Sequence, residues 1–208
     1  MILRASRPWL IWPFLALCWA ATAASAAQVL AVSVTHDGAR FLIGMRISID
    51  ATPAAVFRAL QDYPAMAHYN PDLRTVRVER PLVPGRVRLF TSVHTCVLIF
   101  CKTMRQEEIM TATTNAGGGV LRAQLLAHGG DFLGGGGRWT VEACRDIPEE
   151  ACLHVRIELV PGFWVPPVIG PWVIRRKMEE EAQRTGVGLE RTAQLLSRTP
   201  PPRAPGLR

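Results

Sequence analysis

Apolar and polar residues alternate from position 41 to 50: Phe41, Ile43, Met45, Ile47 and Ile49 stand between Leu42, Gly44, Arg46, Ser48 and Asp50. A period of two predicts a strand with one buried face. The period then changes. Thr52 can cap a helix, and Pro53 suits its first turn because the missing N–H would be unpaired there anyway. Val56, Phe57 and Leu60 supply that helix with an apolar stripe, and Asp62-Tyr63-Pro64 ends it, since the residue before a proline avoids helical geometry. A second proline-opened turn runs from 64 to 71.

The next strand is expected over 73–80, closed by Pro81-Leu82-Val83-Pro84-Gly85. From 86 to 114 the chain holds no Gly, Pro, Asn or Asp, although strands usually run about 3–10 residues. The cysteines suggest where this stretch breaks. Within one strand Cys96 and Cys101 would lie roughly 16 Å apart at about 3.3 Å per residue, whereas a disulfide needs Cα atoms within about 6.8 Å. If they pair, Val97, Leu98, Ile99 and Phe100 fold back as a stapled loop, a constraint worth about 2 kcal/mol in the chain-entropy model. Strands over 86–95 and 102–113 follow from that pairing. The apolar tip between them either faces a pocket mouth or membrane, or tucks into the core; the sequence leaves both open.

Asn115-Ala116-Gly117-Gly118-Gly119 reads as a turn and 120–127 as a strand. The glycine-rich stretch 129–137 reads as a flexible hairpin connection. It lacks the Lys-Ser/Thr or GxGxxG context of a phosphate-cradling loop. Trp139, Val141 and Ala143, then Leu153, Val155, Ile157 and Leu159, mark two amphipathic strands of one hairpin, with Cys144 and Cys152 on either side of its loop. Pro161-Gly162-Phe163-Trp164-Val165-Pro166-Pro167 breaks the last strand and opens a long helix to about 197. Val168, Ile169, Trp172, Val173, Ala182, Leu189, Ala193 and Leu196 recur along it at helical spacing. Arg175-Arg176-Lys177 before Glu179-Glu180-Glu181 allow i,i+4 pairs on its exposed face.

Composition adds a compartment. Met1 to Arg7 carries two arginines and no acid, 8–21 is almost unbroken apolar sequence, and Ala24-Ser25-Ala26 offers small residues for a signal peptidase. Residues 1–26 are therefore expected to be a signal peptide cleaved near Ala26, leaving a periplasmic or secreted protein. The apolar run is shorter than the ~20 residues of a membrane span, and Leu17 before Cys18 is the wrong size for a lipoprotein cleavage. The proline-rich tail 198–208 has no apolar periodicity and is expected to be disordered. Loss of Arg4 and Arg7 lowers the formal charge from +7 to +5, nearly all of it arginine. That excess fits a solvated sheet face or attraction to an anionic membrane; nucleic acid is not expected as a partner of an exported chain.

The four cysteines of the mature chain, an even number in an oxidising compartment, read as two disulfides. Zinc is disfavoured because no CxxC spacing or ligand-spaced histidine accompanies them. No catalytic motif stands out: there is no HExxH or GxSxG, and adjacent Glu107 and Glu108 face opposite sides of a strand. Glu108 shares a face with Met104, Gln106 and Met110. If that face is internal, Glu108 is a candidate acid or polar ligand anchor; His94 carries the same ambiguity. No metal site or cofactor is expected.

The order strand, two short proline-opened helices, about six further strands and a long terminal helix is the helix-grip arrangement. Residues 49–71 resemble the start of START-like domains, particularly the polyketide cyclase/dehydrase and coenzyme Q-binding branch. The 161–167 segment is similar to exported bacterial members of that branch. The resemblance covers about 39–197. It implies an α+β fold, a curved antiparallel sheet of about seven strands wrapped around the C-terminal helix, with an apolar cavity between them. It also implies binding of lipids, quinones, polyketides or sterols, with some members enzymes.

The expectation is a monomeric periplasmic binding or carrier protein for a hydrophobic small molecule, with peripheral membrane contact and no catalysis. The cavity wall is expected from Met45, Ile47, Leu89, Val93, Trp139, Val141, Val155, Ile157 and Trp172, with His94 and Glu108 as polar anchors. The alternatives are a cyclase- or hydrolase-type enzyme using the same cavity, and a cell-envelope interaction module that uses the 97–100 tip.

Overall fold

A computed structural model of the chain describes residues 26–79, 85–165 and 170–198. Residues 1–25, 80–84, 166–169 and 199–208 lie outside the described residues, and with them nearly all of the expected signal peptide and tail, most of the expected turn at 81–85 and part of the expected helix opening.

Among the described residues the strands form one antiparallel sheet of eight, in the order β1-β2-β8-β7-β6-β5-β4-β3. They are β1 (Gln28–Asp37), β2 (Arg40–Ile49), β3 (Leu73–Glu79), β4 (Arg86–Val97), β5 (Phe100–Asn115), β6 (Gly118–Leu125), β7 (Phe132–Ala143) and β8 (Ala151–Pro161). The helices are α1 (Pro53–Gln61), a 3-10 turn (Tyr63–Ala65), α2 (Met66–Tyr69) and α3 (Pro171–Arg198). The long helix and curved sheet match the expected α+β architecture. The extra strand is β1, which begins ahead of residue 39. Only Val32 of its ten residues is buried, so it carries almost no periodic signal, and its place is set by pairing with β2.

Helix α1 forms as its sequence prescribes. The Thr52 hydroxyl accepts from the Ala55 N–H at 3.4 Å, and Pro53 stands at the helix start. Its stripe buries Val56, Phe57 and Leu60. Helix α3 crosses the concave face with Ala182, Gly186, Leu189 and Ala193 buried. These small residues permit close packing: a Cβ on Gly186 would lie 3.1 Å from both Ala27 and Ile47. Glu190 then accepts from the Asp50 N–H at 3.0 Å, and the Gln183 amide donates to the Ala27 carbonyl at 2.7 Å. Those bonds tie the helix to the first two strands.

The turn-free run does break at the cysteines. Cys96 pairs in register with Cys101, the two are disulfide-bonded, and only Leu98 and Ile99 form the turn. Both strands thus run further than the 95 and 102 expected. Leu98 takes φ 56, a left-handed conformation seldom adopted by a branched residue. The second pair, Cys144 with Cys152, is also bonded, its Cα atoms 4.9 Å apart at the base of the β7–β8 loop.

Only the first part of the glycine-rich run, residues 129–131, lies in the connection between β6 and β7. Gly134, Gly135, Gly136 and Gly137 belong to β7; all four pair with β8, and Gly136 and Gly137 pair with β6 as well. Glycine is a poor strand former, but the ladder with β8, joined by β6 at Gly136 and Gly137, overrides its weak preference. The Trp139 ring covers the bare backbone of Gly137, where a Cβ would meet it at 2.3 Å.

Candidate functional site

The concave face and α3 enclose an inner chamber of about 300 Å³. Alternation decides which side chains reach it. Thr91, Val93 and Thr95 point in from β4, and Met104, Gln106, Glu108 and Met110 from β5. The register places Val93 opposite Met104 and Thr91 opposite Gln106, so both strands offer the same face. Met45 and Ile47 of β2, Trp139 of β7 and Leu153, Val155 and Ile157 of β8 complete the sheet side. Met66 and Tyr69 of α2 and Met178, Ala182 and Leu189 of α3 cover it. A second, outer space of about 570 Å³ adjoins at Thr95, Met104, Ile157 and Met178. Phe41, Phe100, Phe132, Phe163 and Trp164 line that mouth.

Of the residues expected in the wall, Met45, Ile47, Val93, Trp139, Val155 and Ile157 line the chamber. The structure places three elsewhere. Leu89 and Val141 are fully buried in the solid core and do not line the chamber. Trp172 stands on the first turn of α3, 70% exposed; helical spacing puts it on a stripe, but there Ile174 and Lys177 line the outer space and Trp172 does not.

The two proposed anchors separate. Glu108 is 6% exposed and lines the chamber. His94 lies one residue past Val93 and so on the opposite strand face, where its Nδ1 is 2.9 Å from the Thr103 hydroxyl. His94 also neighbours Cys96 and Cys101, but those sulfurs are bonded to each other and offer no thiolate.

Desolvation raises the Glu108 carboxyl to about 7, against a weaker opposing hydrogen bond from the Gln106 amide at 3.4 Å. Two further polar groups face the same space: the Tyr69 hydroxyl and Thr91 Oγ1 are buried and have no hydrogen-bond partner among the described residues. Burial, with the nearby Asp62 and Tyr63 adding to it, pushes the Tyr69 hydroxyl well above its usual value. Thr91 was legible only through its alternation with Val93, and Tyr69 only through its place beside Pro71. Neither carries a motif.

Between chamber and mouth lies an ionic cluster. Lys177 of α3 contacts Asp72 at 3.3 Å and Glu181 at 2.6 Å, and Arg184 also reaches Glu181. Burial raises the Glu181 carboxyl. At Asp72 burial acts the same way but is outweighed by hydrogen bonds with Glu181 and Lys177, so its carboxyl sits below the ordinary range. Around the rim, Leu98 is 65%, Ile99 88% and Trp164 73% exposed. The tip therefore projects instead of tucking into the core. No helix among the described residues is long and apolar enough to cross a membrane, and the two disulfides are compatible with export.

No family model matches the chain, and no curated protein matches it in sequence. Solved structures do match in shape. The Zhui aromatase/cyclase from Streptomyces sp. R1128 superposes with a TM-score of 0.53 at 13% identity, over 76% of this chain and 93% of that one. A START superfamily protein from Mycobacterium smegmatis gives 0.51 at 16% identity, over 74% and 98%. The human StarD13 lipid transfer and protein localization domain gives 0.57 at 11% identity, over 82% and 86%. At these identities the likeness shows the fold alone: the chain has the START-like helix-grip fold.

Proposed function

We propose that this chain is a periplasmic carrier that holds a hydrophobic small molecule, of lipid, quinone or polyketide type, between its sheet and α3. The observation that carries the reading is the adjoining pair of spaces, apolar along most of their walls and closed at the inner end by buried polar groups. Ligand pockets of a few hundred Å³ with a small number of placed polar groups have this character. Removing a ligand's apolar surface from water, at about 25 cal/mol per Å², supplies affinity without any motif. Periplasmic location rests on the leader sequence and the two disulfides.

Gently purified protein in native mass spectrometry is expected to carry a copurified hydrophobe, and lipids or quinones are expected to raise its melting temperature. Reproducible absence of both effects would overturn the carrier reading. The cyclase alternative rests on Glu108 alone, since His94 faces away; it requires turnover of a polyketide-like substrate that Glu108→Gln abolishes.

Loading at a membrane follows from the rim. Leu98 and Ile99 project beside Phe100 and Trp164 at the mouth, where apolar side chains can enter a lipid headgroup layer. Leu98→Ser with Ile99→Ser is expected to weaken cosedimentation with vesicles of anionic phospholipid by about tenfold, with the melting temperature unchanged. Undiminished vesicle binding would exclude the tip. Capture of an envelope protein by the wild type, lost in this double variant, would favour the interaction-module alternative.

A further inference from the structure

The inner end of the chamber is polar in a particular way. Thr91 on β4 stands directly across from Gln106 on β5, with Glu108 two residues along the same face. Tyr69 of α2 lines the same chamber. Thr91, Tyr69 and Glu108 are 5%, 4% and 6% exposed, and the hydroxyl oxygens of the first two have no protein partner among the described residues. Buried polar groups are nearly always hydrogen-bonded, so orphans on residues that line a cavity mark where a ligand or water can bond. Each hydroxyl can donate one bond and accept others.

Charge narrows the chemistry. Asp72, Glu108 and Glu181 line the chamber, and no lysine or arginine does. Lys177, at the mouth, is already held by Asp72 and Glu181. Among the described residues, Tyr63 of the 3-10 turn interacts with Glu108, and the other titratable groups lining the chamber are Tyr69 of α2, Asp72 after it and Glu181 of α3. None of these is a cation. A buried anionic head would therefore meet Glu108 and two carboxylates that already hold Lys177 and Arg184, with no free counter-charge, which is costly in a low-dielectric site.

We infer that the inner chamber binds the polar end of an amphiphile bearing an uncharged oxygen function, a hydroxyl or a carbonyl, held by Thr91, Tyr69 and Glu108, and excludes carboxylate and phosphate heads. This rests on the carrier reading and specifies its ligand class. The inner chamber of about 300 Å³ has the volume of roughly ten waters at about 30 Å³ each, room for a small polar head, and the tail extends into the mouth. In its protonated form Glu108 donates as well as accepts, matching either oxygen function.

The test is displacement of the neutral dye Nile red from the mature chain by dodecanol, dodecanoate, dodecyltrimethylammonium and dodecane, each below its aggregation concentration, at about pH 8 and pH 5.5. Dodecanol is expected to bind at least about tenfold more tightly than dodecanoate at pH 8. The gap narrows at pH 5.5, where Glu108 and the ligand carboxylate both take up protons. Thr91→Val and Tyr69→Phe are each expected to weaken dodecanol several-fold while leaving dodecane unchanged, which a merely structural role would not do. Glu108→Gln is expected to raise dodecanoate affinity at pH 8. Equal binding of dodecanol and dodecanoate at pH 8, a preference for the cationic probe, or equal losses for dodecane in the variants would overturn the inference and leave the carrier reading standing. Failure of every probe to displace bound dye, or of the dye to bind at all, would remove both.

Discussion

Glu108→Gln is expected to be more stable than the natural chain by about 3 kcal/mol at pH 8 and equally stable near pH 4, measured by denaturant unfolding at each pH. The sign follows from burial. The carboxyl titrates at about 7 in the folded chain against an ordinary 4.5, so between those values the folded state keeps a proton that the unfolded state has released. Stability therefore falls as pH rises through that window, and above it the whole cost of a desolvated carboxylate is present. Glutamine has no charge to desolvate and its carbonyl still accepts from Gln106. A pH-independent difference between the two proteins would mean that water in the chamber solvates the carboxylate.

Phe57→Ala is expected to cost about 4 kcal/mol, a large part of the 5–15 kcal/mol that usually separates folded from unfolded chains. Phe57 is 2% exposed and holds α1 against β6. Beneath its ring lies Gly119, where a Cβ would come within 2.4 Å of the aromatic carbons. With no side chain on that strand position to relax inward, the truncated site keeps its void, and the cavity contribution is felt in full. The same geometry predicts coupling. Gly119→Ala should destabilise the natural chain through overlap with the ring, yet cost little once Phe57 is alanine. Strictly additive losses in that double-mutant cycle would show that ring and strand do not abut as described.

These two residues differ in how far the sequence announces them. Phe57 sits in a helix whose cap, opening proline and apolar stripe are all local, and local geometry needs only neighbouring residues to specify it. The alternation of β2, β4 and β8 is local in the same sense. The bonded partners Cys96 with Cys101 and Cys144 with Cys152 follow from short spacing across hairpins. Glu108 is different. Both faces of β5 mix polar and apolar residues, Arg105 and Glu107 on one and Gln106 and Glu108 on the other. A period of two separates the faces without saying which is inside.

The order of elements, the strand alternation, the start of α1 and the disulfide-stapled hairpins are properties of the sequence by itself, because each rests on contacts between residues close along the chain. Tertiary structure alone decided the rest. It drew Gly134 to Gly137 into β7 by pairing them with β8, and Gly136 and Gly137 with β6 too, and it added β1 as an edge beside β2. It left Trp172 facing solvent and put His94 on the outer face. By laying α3 across one face of the sheet, it turned Glu108, Thr91 and Tyr69 into the closed polar end of a chamber. Burial depends on which surface a distant helix covers, and no local period carries that information.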